Sequence, residues 1–195
     1  LGFFFNETFT EFDNATDAIK HFDLNYIGLD MNVERGGNNQ KKFILKPKDK
    51  NYSSFELRHA SSGIQTTAPL IAMMNYYAQA FDFKSAQKRS IIDLLFEKNL
   101  TTQYRPEMEL TDMPQYVHIH IEEPELSLDP TSQIQMLNEI IRLAFYSKVD
   151  SREIGLVLAT HSPYIINSLN LLMKAHDCKT DIDGAHVDYD DLSVY

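Results

Sequence analysis

Residues 116–130 read YVHIHIEEPELSLDP. Val117, Ile119 and Ile121 alternate with Tyr116, His118 and His120, the period of a strand with one apolar face. The strand ends in Glu122-Glu123, and the chain then turns through Pro124 into a helix start. Asp129 has the character of an N-cap there, and Pro130 suits the first helical position. A strand that carries two adjacent carboxylates to its carboxyl end can set a metal ligand beside a general base. A bare Glu-Glu is equally a solvated acidic turn. His118 and His120 offer two metal ligands, but no further ligands stand at useful spacing, so a polar face between elements is the better reading of that pair.

Downstream, TSQIQMLNEIIRLAFYSK is an amphipathic helix whose apolar face holds Ile134, Leu137, Ile140, Ile141, Ala144 and Phe145. A polar loop, KVDSRE, leads into IGLVLAT, a second short apolar strand. Strand, helix, strand is a βαβ unit, which predicts parallel strands joined by a right-handed crossover. In open parallel sheets, sites form beyond the carboxyl ends of the strands. The first strand ends in Glu122-Glu123 and the second in Thr160-His161-Ser162-Pro163, so neighbouring strands would bring His161 to the carboxylates. Ser162-Pro163 opens another helix, YIINSLNLLMKA. The tail reads as an acidic loop followed by a strand that begins near Val194-Tyr195.

Upstream the pattern is weaker. LGFFFNETFTEF is aromatic-rich, and DNATDAIKHF predicts a short helix capped by Asn14 or Thr16. ERGGNNQKK is a loop. Phe43–Leu45 and Phe55–Arg58 read as two short strands of a peripheral hairpin around a polar turn. Ser61-Ser62-Gly63-Ile64-Gln65 then precedes the apolar helix APLIAMMNYYAQAF, with Pro69 early in that segment. A Ser-Ser-Gly turn at a helix start exposes backbone N–H groups at the positive dipole end, which suits an anion; taken alone it reads better as a plain helix cap, since Ser is among the commonest cap residues. KSAQKRSIIDLLFEKN, residues 84–99, is a second helix with Ile91, Leu94, Leu95 and Lys98 along one face. Its Lys84, Lys88 and Arg89 read as a solvated face. TTQYRPEMELTDMPQ is a loop.

The chain of 195 residues suits one domain or a large part of one, and 43% hydrophobic residues suffice for a sizeable core. A net charge of −10 excludes a broad basic surface for nucleic acid. No apolar run approaches the ~18 residues of a membrane helix, and no signal peptide is evident. The single cysteine, Cys178, excludes an internal disulfide framework and fits a reducing, cytoplasmic setting. The chain opens on Leu1 and closes on Tyr195 within an apparent strand, which is the pattern expected of a portion of a longer protein.

Taken together, SSGIQ, VHIHIEEPELSLDP and LVLATHSP resemble, in order, motifs of the ABC-type ATPase nucleotide-binding domain. The nearest branch is the SMC/RecF-like group of non-transporter ATPases of DNA repair and anti-phage defence. The likeness runs from about Phe43 to Asn170. It implies an α/β fold with the parallel-sheet core of a P-loop NTPase and a helical segment after the signature motif. Residues 1–60 would then be peripheral strands and loops, residues 61–110 the signature motif and helical segment, and residues 116–170 the βαβ core. SSGIQ resembles the signature motif, with Ser62, Gly63 and Gln65 matching its serine, first glycine and glutamine. Ile64 stands for its second glycine and Ser61 for its leucine. The resemblance implies that these residues touch the γ-phosphate of ATP held by an opposite subunit. IHIEE resembles Walker B, with Glu122 at the Mg²⁺-associated position and Glu123 at the catalytic one; Glu-Glu replaces the usual Asp-Glu. LSLDP resembles the D-loop, with Asp129 at its aspartate, and Thr160-His161-Ser162 the H-loop, whose histidine contacts the γ-phosphate.

The implied activity is ATP hydrolysis with Mg²⁺ by a head-to-tail dimer, coupled to DNA or an effector protein and independent of a membrane. No GxxxxGK[ST] occurs in the chain, so the loop that cradles phosphate and its lysine are missing from it. The chain alone is therefore expected to bind nucleotide weakly and not to hydrolyse it; the longer protein would be the ATPase. The competing reading is a non-hydrolysing scaffold of ABC shape. A transporter subunit fits less well, since transporters generally carry the fuller LSGGQ and an Asp-Glu pair.

Overall fold

The computed structural model describes residues 2–37, 40–98, 116–149 and 152–195, with side chains described from Thr8 onward. The expected loop TTQYRPEMELTDMPQ lies outside the described residues. The chain runs α1 (Gly2–Ala18), β1 (His21–Leu24), β2 (Leu29–Arg35), β3 (Lys41–Pro47), β4 (Phe55–Glu56), α2 (Ser62–Gln79), α3 (Phe83–Glu97), β5 (Tyr116–Glu122), α4 (Pro130–Ile141), β6 (Glu153–Ala159) and α5 (Pro163–Asp177). The molecule is mixed α/β, with a four-stranded antiparallel sheet, β1-β2-β3-β4, and a two-stranded parallel one, β5-β6.

The βαβ unit forms as expected. β5 and β6 are parallel, in register from Tyr116↔Glu153 to Glu122↔Ala159. Ile121 and Ile154 face inward, whereas Tyr116 and Val157 lie on the open face. On that face the rings of Tyr116, His118 and His120 form a ladder, with centroids 4.9 and 5.8 Å apart. Asp129 caps α4 by accepting from the N–H groups of Thr131 and Ser132, and Ser162 caps α5 through Tyr164 and Ile165. Of the expected α4 face, Leu137, Ile140, Ile141 and Ala144 are buried, while Phe145 stays exposed. α4 gives way to a π-helical turn, Arg142–Tyr146, where the extra residue per turn rotates Phe145 off the buried stripe.

The N-terminal third departs from expectation. Asn14 and Thr16 do not cap a helix; they lie within the long α1, and the Thr16 hydroxyl donates back to the Phe12 carbonyl. The expected peripheral hairpin is the outer half of the four-stranded sheet. β1 and β2 were not anticipated, because HFDL and LDMNVER are short and interrupted by Asn25 and Gly28. Phe55–Arg58 is a strand for two residues only, after which Leu57–His59 is a 3-10 turn. Nor is the sheet peripheral: Phe22, Leu24, Met31 and Leu45 are fully buried and share one core with Ile71 and Met74 of α2, Leu137 and Ile140 of α4, and Ile165 and Leu172 of α5.

Three smaller expectations also change. Pro69 lies well inside α2, not at its start, so the ladder lacks one bond there. α3 buries only Phe83 among its described residues; Leu94 and Phe96 are exposed, so the periodic face does not meet the core. The tail has no strand: Ile182 and Ala185 form an isolated bridge, Tyr189–Asp191 is a 3-10 turn, and Val194 and Tyr195 are exposed coil.

Candidate functional site

β5 ends on the Glu122↔Ala159 rung, and the Glu123 N–H adds one more bond to the Ala159 carbonyl at 2.8 Å. Beyond it the chain must leave the sheet at once. Glu123 takes φ 45° and Ser127 φ 62°, left-handed conformations uncommon for residues with a Cβ. The loop between them is closed by Leu126 N–H to Glu123 O and Leu128 N–H to Glu125 O, both 3.0 Å. Two strained residues within five positions mark a loop whose shape is imposed by its surroundings.

One of the two carboxylates, Glu123, and the histidine do come together. His161 Nε2 lies 3.7 Å from Glu123 Oε1, with the His161 side chain 90% and the Glu123 side chain 52% exposed. An exposed pair of this kind adds little to stability. The fold does not require it, and the pair is free to meet a ligand. Glu122 stands beside it, exposed, on the open side of the sheet. Among the described residues no group of three His, Cys, Asp or Glu side chains could hold a metal ion. With so few ligands from the protein, a cation at Glu122 would need water or a bound molecule to supply most of its coordination.

The other sequence-predicted residues occupy different settings. Ser61 is the N-cap of α2 but makes no side-chain cap bond. Ser62 is exposed at the helix start, and its carbonyl accepts from Thr66 Oγ1. Gly63 is buried against the β5–α4 loop of the same chain: a Cβ there would lie 2.5 Å from Ser127 O and 2.8 Å from Leu128 Cδ2. The Gln65 amide donates to Ala60 O and Arg58 O, pinning the turn before α2. Asp129 is committed to its cap; the Ser132 hydroxyl, with the Ser132 and Thr131 N–H groups, holds its carboxyl below the usual range against a smaller opposing effect of burial.

Glu125 escaped sequence reading. Its Oε1 accepts from Thr160 Oγ1 at 2.7 Å and from the His161 N–H at 2.9 Å. Burial alone would raise the Glu125 carboxyl. Hydrogen bonds from Thr160 and from the backbone of Glu125, His161 and Ser162 outweigh it, and the carboxyl is held below its ordinary value. The available signal was the Thr-His-Ser turn itself, which brings a hydroxyl and free N–H groups that need an acceptor.

Two shallow cavities lie elsewhere. One of about 320 Å³ is lined by His176, Lys179 and His186, and one of about 480 Å³ by Asp30, Lys46 and Tyr52. Neither includes Glu122, Glu123 or His161, which stand on an open surface. No protein-family model matches the chain, and no curated protein or solved structure matches it. No helix among the described residues is long and apolar enough to cross a membrane.

Proposed function

We propose that this chain carries the signature-like, Walker B-like and H-loop-like half of an ABC-type ATPase, acting in DNA repair or anti-phage defence. One observation carries the reading. Glu123 and His161 lie 3.7 Å apart at the carboxyl ends of neighbouring parallel strands. Phosphoryl transfer depends on positioning and charge neutralisation more than on covalent chemistry. Glu123, solvent-accessible and next to the histidine, would accept the proton of the attacking water. His161 would donate a hydrogen bond to the terminal phosphate. Glu122 would hold Mg²⁺, which when bound neutralises phosphate charge. The free N–H groups at the start of α2 and the Ser62 hydroxyl would meet phosphate across a head-to-tail dimer. The phosphate-cradling loop would come from another part of the longer protein.

The test uses that longer protein with Mg²⁺ and ATP. Glu123→Gln is expected to slow turnover by about 10²- to 10⁴-fold, while ATP-bound dimers persist in size-exclusion chromatography. Unchanged turnover removes Glu123 from the chemistry. A wild-type protein that dimerises but does not hydrolyse ATP is the scaffold instead.

A further inference from the structure

We infer that Glu125 is a positioning residue that locks the β6–α5 turn to the β5–α4 loop and so sets His161 against Glu123. The inference rests on the reading of Glu123 and His161 given above, but the lock itself is independent of it. Glu123 and His161 come from different loops, and their exposed side chains cannot fix the distance between those loops. Glu125 can. A single carboxylate oxygen takes both the Thr160 hydroxyl and the His161 N–H, so the backbone of His161 is tied directly to a residue two positions after Glu123.

The tie extends in both directions. Thr160 Oγ1 in turn accepts from the Ser162 N–H at 3.0 Å. Ser162 Oγ donates to Gln133 Oε1, and Gln133 Nε2 donates to Leu128 O at 2.9 Å. The circuit therefore returns to the loop that holds Glu123, through the first turn of α4. The bonds among Glu125, Thr160, Ser162, Gln133 and Leu128 are partly withdrawn from water, the setting in which hydrogen bonds specify geometry most strongly, while the His161 N–H bond to Glu125 lies at the exposed end of the circuit. Glu123, with its left-handed backbone, stands two positions before Glu125 in the same loop.

The sign of the pH dependence follows from the depressed Glu125 carboxyl. The lock is complete at neutral pH and above the ordinary carboxylate range. It is lost as pH falls below that range and the folded-state carboxyl protonates.

Amide hydrogen exchange read by NMR tests the lock directly. Glu125→Ala is expected to speed exchange of the His161 N–H by about five- to tenfold. Glu125→Gln keeps an acceptor oxygen on a side chain of the same length and should restore most of the protection. Thr160→Val, which removes one donor and leaves the carboxylate, should give a smaller rise. Unchanged His161 exchange in Glu125→Ala overturns the lock. The second arm is ATP turnover of the longer protein, where Glu125→Ala should lower kcat by about ten- to a hundredfold with little change in KM, and Glu125→Gln should recover it. Lost protection with unchanged kcat, in a protein that Glu123→Gln inactivates, overturns the positioning role. If Glu123→Gln itself leaves turnover intact, the ATPase reading falls and the exchange arm alone judges the lock.

Discussion

Two glycines show how differently one added methyl group is received. Gly63 sits in the first turn of α2, where alanine is intrinsically the better helix former. Its pro-Cβ position lies 2.5 Å from a backbone oxygen, Ser127 O, in a loop that two left-handed residues already constrain. Neither side can yield without moving the carboxylate loop. Gly63→Ala should therefore destabilise by about 1–3 kcal/mol, read from chemical denaturation. Gly155 in β6 meets atoms even closer, but they are the ends of the exposed His118 and Tyr116 side chains. Those rings swing outward, and Gly155→Ala should stay within about 0.5 kcal/mol of wild type. The order of the two closest distances alone would predict the reverse. Glu125 makes the same point: nothing in PELSL distinguishes it from a solvated glutamate until the Thr160-His161 turn is set beside it.

At the level of elements, the π-helical turn after α4 is held by charge as well as packing. Glu139 is 6% exposed, and both its oxygens are taken by Arg142, Oε2 by Nε at 2.8 Å and Oε1 by Nη2 at 2.6 Å. Arg142 Nη1 also donates to Ser147 Oγ, just past the turn. Removing the guanidinium would leave a buried carboxylate without a partner, which costs far more than the pair contributes as a pair. Arg142→Ala should lower stability by about 3 kcal/mol, measured by urea denaturation, near the low end for such losses because Arg142 is partly exposed. The same turn explains why Phe145 lies outside despite its place in a helical repeat. A strict 3.6-residue period carries it into the core, and one wider turn carries it out.

On the scale of the whole molecule, the antiparallel sheet and the βαβ unit share a single apolar interior. The antiparallel sheet is also joined to α2 by polar bonds. Tyr26, between β1 and β2, donates to Thr67 Oγ1 at 2.6 Å, and Thr67 donates to Gly63 O at 2.9 Å. Burial pushes the Tyr26 phenol up, far out of the neutral range, so it stays a donor. Met31 of β2 and Ile140 of α4 both belong to this interior and are fully buried. Truncating either to alanine should cost about 2–5 kcal/mol. Both variants should move one thermal transition, seen alike by far-ultraviolet and near-ultraviolet dichroism. Separate transitions for the two variants would show two independent folding units.

Local grammar was enough to read the βαβ unit: alternation in VHIHI, the caps Asp129 and Ser162 with a proline after each, and the apolar stripe of α4 are all set by neighbours within a few residues. Adjacency of parallel strands then brought His161 to Glu123 without further information. The remainder was settled by contacts between segments distant in sequence. HFDL and LDMNVER become strands because their side chains find α2 and α4 to pack on, Gly63 is required by a loop that lies more than sixty positions away, and Glu125 acquires its partners only when two loops meet. Short segments of weak periodicity have no preference strong enough to decide their own structure, and buried polar groups are identified by what surrounds them in space.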